Sequence, residues 1–284
     1  LTNPTATEIF EISEQFQIEV DDLRAPLDEE ERSRIEVEDT YTLILVDVPM
    51  IEERNDKDWY GTIPLGIILN KEVCITVCNF ETNMMIDFVS YQQKRGLGFT
   101  DSVDMVFRLF LSSAVWYLKR LKQINTLIEK AKQHLDRNVD NADLISLSRL
   151  QDSLTYFITS IRGNETLLSK LKFKLPVDEL DADLIEDVNI EMSQARETTS
   201  IYANILDSTM DTYANIINNN VSSVMKMLTS ISIILMFPTL VASLFGMNLI
   251  NGMENSEWGF PLALALTVCI TAVFIWYFRR KSWI

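Results

Sequence analysis

One stretch of this chain places oxygen-bearing, sulfur-bearing and side-chain-free residues along a single helix face. They are Asp211, Asn218, Ser222, Met225, Thr229, Ser232, Met236, Thr239, Ser243 and Gly246, separated by steps of 7, 4, 3, 4, 3, 4, 3, 4 and 3. Steps that average 3.5 residues, the first counting as two, keep them on one side of a slightly supercoiled helix. From Met227 onward the other sides carry Ile, Leu, Val and Phe. Such a face has two uses in apolar surroundings. Small and hydroxylated residues let a second helix approach closely. Alternatively, neutral oxygens line a watery path and accept hydrogen bonds from the waters around an ion. On the second use, Met225, Leu228 and Met236 make apolar rings able to close the path by dewetting. Asp211 makes an acidic ring below them, and Asn248 adds a neutral acceptor just past Gly246-Met247.

The face lies in an element fit to cross a bilayer. Met227 to Phe245 is 19 residues without a charge, enough for a hydrocarbon core of roughly 30 Å. A second uncharged run, Phe260 to Phe278, follows a short loop, so the chain closes as a transmembrane hairpin. Two helices cannot enclose a path, so conduction requires several chains about one axis. Lys226 precedes the first run and Arg279, Arg280 and Lys281 follow the second. The loop between holds Glu254 and Glu257 and no base. The excess of positive charge places both ends in the cytoplasm. Upstream, Asp178 to Phe245 runs 68 residues with no glycine and only Pro238. As one helix it is a stalk of ~100 Å, and its apolar steps of 3 and 4 make it an oligomerisation surface.

The remainder reads as a small α/β domain followed by a helical hairpin. Ala6 to Phe16 and Ile18 to Ala25 are predicted helices, and Asp28 to Arg34 is a charged connector. Tyr41 to Met50, Ile63 to Leu69 and Val73 to Val77 are predicted strands. Thr82 to Gln93, Ser102 to Leu135 and Asp143 to Lys172 have helical periodicity. The expected divisions are 1–98, the cytoplasmic α/β domain, continuing upstream of Leu1; 99–176, the long helical hairpin; 177–245, stalk and first membrane helix; 246–259, the outer loop; and 260–284, second membrane helix and basic tail. The fold class is an α+β membrane protein.

Composition narrows the function. Twenty-five bases against 41 acids give a net charge of −16. That repels phosphates and argues against nucleic acid as a partner, while it attracts cations. Cys74, Cys78 and Cys269 make no paired framework, and buried reduced thiols suit a cytoplasmic setting. No phosphate-binding glycine loop, His-Glu-x-x-His or Gly-x-Ser-x-Gly occurs in the sequence. His134 is the single histidine. An enzyme and nucleotide-driven pumping are therefore not expected, nor is an organic cofactor.

Phe245-Gly246-Met247-Asn248, after the first membrane run and before a short acidic loop, resembles the signature of the CorA family of magnesium channels. Pro238-Thr239, the helix entrance Val224 to Thr229 and the basic tail ending Lys281-Ser282-Trp283-Ile284 are similar too. The resemblance covers the whole chain. It implies a homopentamer in the plasma (inner) membrane that conducts hydrated Mg²⁺, and also Co²⁺ or Ni²⁺, into the cytoplasm down the electrochemical gradient. Gly246, Met247 and Asn248 would form the selectivity filter, and Asp211, Asn218, Ser222, Met225, Leu228, Thr229, Ser232, Met236, Thr239 and Ser243 would line the pore. Such a filter suits Mg²⁺, which dehydrates reluctantly and keeps its waters. Glu254 and Glu257 would concentrate cations at the mouth. The family's loop often continues Met-Pro-Glu, whereas this chain has Met253-Glu254. The resemblance also implies a cytoplasmic Mg²⁺ sensor, matched here by Asp22 and Asp187. A zinc transporter of the same fold and a membrane-anchored structural coiled coil are the alternatives.

Overall fold

The computed structural model describes residues 1–54, 57–71, 73–95, 102–136, 140–175, 182–247 and 257–283. In chain order the elements are α1 (Ala6–Phe16), α2 (Val20–Arg24), a 3-10 turn (Ala25–Leu27), β1 (Arg34–Val37), β2 (Tyr41–Arg54), β3 (Lys57–Asn70), β4 (Cys74–Cys78), α3 (Asn83–Arg95), α4 (Ser102–Leu135), α5 (Asn141–Lys174), α6 (Ala182–Phe245) and α7 (Gly259–Arg280). Two compact units result, Leu1–Met210 and Asp211–Ile284.

The sheet of the first unit is antiparallel throughout, in the order β1-β2-β3-β4. Its central strands are buried along a continuous run: Leu43, Ile44, Leu45 and Val46 expose 1% or less. A continuous buried run, rather than alternation, means that both faces are covered. Tyr41, Leu43, Leu45, Ile68 and Val77 pack with Ile9 of α1, Leu23 of α2 and Ile18 of the link between them, while α4 and α5 lie against β2 and β3. Two features differ from the sequence expectation. Arg34–Val37 is an edge strand, β1, which begins at the last residue of the expected Asp28 to Arg34 connector and covers a stretch to which no strand was assigned. Its Arg-Ile-Glu-Val alternation buries only Ile35, and charge on an edge is a usual guard against further pairing. β2 and β3 also run past Met50 and start before Ile63, forming one antiparallel ladder that extends to Arg54 opposite Lys57.

A polar lock joins sheet and helices at Asp47 of β2. Its carboxylate accepts from Ser33 Oγ at 2.9 Å. Its backbone N–H donates to Asn164 Oδ1 at 3.0 Å, and its carbonyl accepts from Asn164 Nδ2 at 2.7 Å and Tyr117 Oη at 3.1 Å. Ser33 Oγ also lies 2.9 Å from Asn164 Oδ1. Asn164 and Tyr117 expose nothing, so these bonds satisfy groups that would be costly to bury alone. Burial raises the Asp47 carboxyl to about 6, opposed by hydrogen bonds from Ser33 and Ser160.

α4 matches the predicted Ser102 to Leu135, and α5 begins two residues earlier than predicted because Asp140 caps it, its side chain accepting from Ala142 N–H at 3.1 Å. Within the first unit, α6 buries Leu184, Val188, Met192, Ala195, Thr199 and Leu206. Those steps of 4, 4, 3, 4 and 7 are one apolar stripe. It is flanked by Arg196, which pairs with Glu165 of α5 at 3.1 Å. The helix then continues without interruption to Phe245, through Pro238.

Candidate ion path and sensor

In the second unit, the apolar run of α6 packs on α7 along one side. Phe237 stacks on Phe274 with centroids 4.2 Å apart. Ser230 is fully buried and Val241 exposes 7%. At ~100° per residue, Ser230, Phe237 and Val241 fall within ~40° of one another. The predicted pore residues between Met225 and Gly246 fall about 100–180° away on the same count. Asp211, Asn218, Ser222, Met225, Leu228, Thr229, Ser232, Met236, Thr239, Ser243, Gly246 and Met247 are all exposed. α7 thus backs α6 and leaves the polar stripe uncovered. An uncovered side of small and hydroxylated residues suits contact with another helix or with water.

Two hydroxyls of the stripe, those of Ser232 and Thr239, share one arrangement. Ser232 Oγ donates to the Leu228 carbonyl at 2.9 Å, and Thr239 Oγ1 donates to the Leu235 carbonyl at 3.0 Å. The donor hydrogen is spent on the helix's own backbone. What these two hydroxyls turn outward is lone pairs, acceptors of the kind that suit the O–H groups of a hydrated cation. Met225, Leu228 and Met236, each more than half exposed, alternate with these acceptors. At the top the helix stops at Phe245. Gly246 N–H still donates to the Ala242 carbonyl at 2.9 Å, and a Cβ on Gly246 would lie 3.1 Å from that same oxygen. Glycine therefore lets the chain turn tightly off the helix. Asn248 and Glu254 lie outside the described residues, and Glu257 is exposed just ahead of α7.

The two sensor candidates lie on different elements of the first unit, α2 and α6. Asp22, in the first turn of α2, is partly buried and accepts from Tyr41 Oη at 2.5 Å. Tyr41 also accepts from Glu19 N–H at 3.2 Å. Its phenol is pushed well up, by burial first and then by the Asp22 carboxylate. Sequence reasoning missed this bond; no local signal links a strand tyrosine to an acid 19 residues earlier. Asp187 is exposed on α6 and rims a groove of ≈ 690 Å³ with Asp87, Tyr91, Arg108, Trp116 and Asp183. No bond joins Asp22 to Asp187 among the described residues, nor does any cluster of three or more acids, histidines or cysteines there suit a metal ion.

Residues 1–280 match the family of CorA-like Mg²⁺ transporter proteins. The chain belongs to the CorA family. It is 27% identical over 293 residues to the cobalt/magnesium transport protein CorA of Methanocaldococcus jannaschii, covering 99% of this chain and 89% of that one. The magnesium transport protein CorA of Helicobacter pylori is 24% identical over 231 residues, 80% of this chain and 66% of its own length. The complete structure of the M. jannaschii CorA magnesium transporter superposes with a TM-score of 0.85 at 25% identity, over all of this chain and 90% of that one. The ZntB cytoplasmic domain of Vibrio parahaemolyticus shares the fold, with a TM-score of 0.60 at 11% identity over 74% of this chain and 84% of its own. Among the described residues, α6 and α7 are long and apolar enough to cross a membrane.

Proposed function

We propose that this CorA-family chain is one subunit of a homopentameric channel. It conducts hydrated Mg²⁺, and also Co²⁺ or Ni²⁺, across the plasma (inner) membrane into the cytoplasm, with both termini on the cytoplasmic side. The observation that carries the proposal is the uncovered acceptor stripe of α6, backed by α7 and leading up to Gly246-Met247. Around a shared axis its lone pairs hold the ion's water shell without stripping it, which suits an ion that dehydrates reluctantly. Backbone carbonyls of Gly246 and side-chain carbonyls of Asn248 do the same at the filter. The membrane potential supplies the drive, ~2.3 kcal/mol per charge per 100 mV and twice that for a divalent ion. The M. jannaschii relative, named for cobalt and magnesium transport, and the H. pylori relative, named for magnesium transport, support the choice of cargo.

The regulatory half of the proposal assigns Asp22 and Asp187 to a Mg²⁺ bridge between neighbouring subunits. Mg²⁺ is held through one or two carboxylates while keeping several waters, so one acid from each side is sufficient. Bound Mg²⁺ screens the acidic first units and holds the channel shut; its loss lets them repel. The test of conduction is Mg²⁺ flux into proteoliposomes under an imposed potential. Flux by the intact chain that collapses in Asn248→Ala supports channel and filter together. Flux that ignores Asn248→Ala removes the filter, and absence of flux at low internal Mg²⁺ removes the channel.

A further inference from the structure

The last turn of α7 concentrates positive charge in a chain that is otherwise acidic. From Thr212 to the end, the bases are Lys226, Arg279, Arg280 and Lys281, and the two acids, Glu254 and Glu257, lie in the segment between α6 and α7. All four bases are exposed. None of the four forms an ion pair among the described residues. The partial charge at a helix C-terminus, about −0.5, is too small to neutralise three consecutive cations. Counted from the Phe237–Phe274 stack at 1.5 Å per residue, Arg280 lies ~9 Å along α7 and Lys226 ~16 Å back along α6. On the hairpin topology proposed above, both point to one face of the bilayer.

The aromatic residues around them set the depth. The Arg280 guanidinium lies 5.4 Å from the Trp276 ring centroid, and Trp276 is 61% exposed. Trp283 stacks on Phe278 at 5.7 Å. Indoles prefer the level of the lipid headgroups. Guanidinium groups held there present paired N–H donors that match a phosphate oxygen pair.

We propose that the C-terminal end of α7, Arg279, Arg280 and Lys281 with Trp276 and Trp283, is a binding surface for the phosphate headgroups of anionic phospholipids in the inner leaflet. The surface rests on the membrane reading above and adds to it a lipid class. Its physical role is to tie a net-acidic protein to an anionic leaflet that would otherwise repel it.

The test is tryptophan quenching by brominated lipid in phosphatidylcholine bilayers. A Trp258→Phe background removes the indole at the other end of α7 and leaves Trp276 and Trp283 as the reporters at membrane level. Brominated phosphatidylglycerol is expected to quench at a mole fraction at least about fivefold below brominated phosphatidylcholine, the share of a single basic residue near an anionic surface. The preference is expected to vanish in R279Q/R280Q/K281Q. It is also expected to vanish for the unaltered tail at about 1 M salt, where the screening length falls to ~3 Å; this arm decides if the triple variant does not insert. Equal quenching by the two lipids at low salt overturns the proposal while leaving the membrane hairpin intact. Quenching by neither lipid overturns the hairpin reading itself, and the lipid surface with it.

Discussion

Replacing Asp47 by Asn is expected to stabilise the protein at neutral pH and to do nothing of the kind in acid. The carboxyl is raised from 3.8 to about 6 by burial against α4 and α5. A raised folded-state pKa means that the native state keeps a proton which the unfolded chain has released. The group's contribution is therefore fully present below pH 3.8 and is lost as pH rises through 6. About two pKa units at 1.36 kcal/mol each make about 3 kcal/mol by pH 7 to 8. Asparagine has no charge to desolvate and recovers that amount. Against it stands the hydrogen bond that Ser33 Oγ donates to Asp47 Oδ2. Once an amide replaces the carboxylate, one hydroxyl must rotate from donor to acceptor, at a cost of about 1 kcal/mol. The net gain is about 2 kcal/mol at pH 7.5, turning to a loss of about 1 kcal/mol near pH 4. For a chain of this size the swing of about 3 kcal/mol corresponds to roughly 6–12 °C in Tm. The assay is thermal unfolding of parent and variant, full length in detergent, across pH 4 to 8. A Tm difference that stays constant with pH refutes the assignment of the proton to Asp47.

Three further outcomes follow from described contacts. Tyr41→Phe removes the bond to Asp22 and should cost about 1–2 kcal/mol of stability, while freeing a carboxylate oxygen; a lower Mg²⁺ concentration should then suffice to protect the protein from protease. Asp187→Ala should abolish that Mg²⁺-dependent protection while leaving Tm in Mg²⁺-free buffer unchanged, and protection that persists removes the sensor. Gly66→Ala would set a Cβ 2.2 Å from Pro26 Cγ, overpacking the turn against β3 at a cost of about 1–3 kcal/mol, read as a lower Tm.

What could be seen from the sequence was whatever has a period or a composition. The stripe from Met225 to Ser243 is legible because a helix repeats every few residues, and the two membrane runs are legible because lipid tolerates so few charges. Asp47 shows why the rest was not. It sits in Leu-Ile-Leu-Val-Asp-Val-Pro-Met, where an acid looks like an exposed alternate of a strand. Its partners, Ser33 in the loop before β1, Tyr117 on α4 and Asn164 on α5, lie up to 117 residues away. β1 was hidden by its own charges, which protect an edge and imitate a loop. Asp22 could be matched by its neighbours in sequence, but its bond to Tyr41 depends on how α2 crosses the sheet. Which side of α6 would be free became clear only once Phe237 was seen to stack on Phe274.

Pro238 lies among the residues assigned to the pore. It has no N–H to give to the carbonyl of Ile234 and its ring crowds that same turn. Helices bend most readily at such a point. On one side of it stand Met225, Leu228 and Met236; on the other stand Thr239, Ser243 and Gly246. In the proposed channel, the three apolar side chains and the filter end thus stand on opposite sides of a point where the helix ladder lacks a bond. A bend there would move the constriction without reshaping the filter end, which would make opening and selecting mechanically separate acts in that proposal.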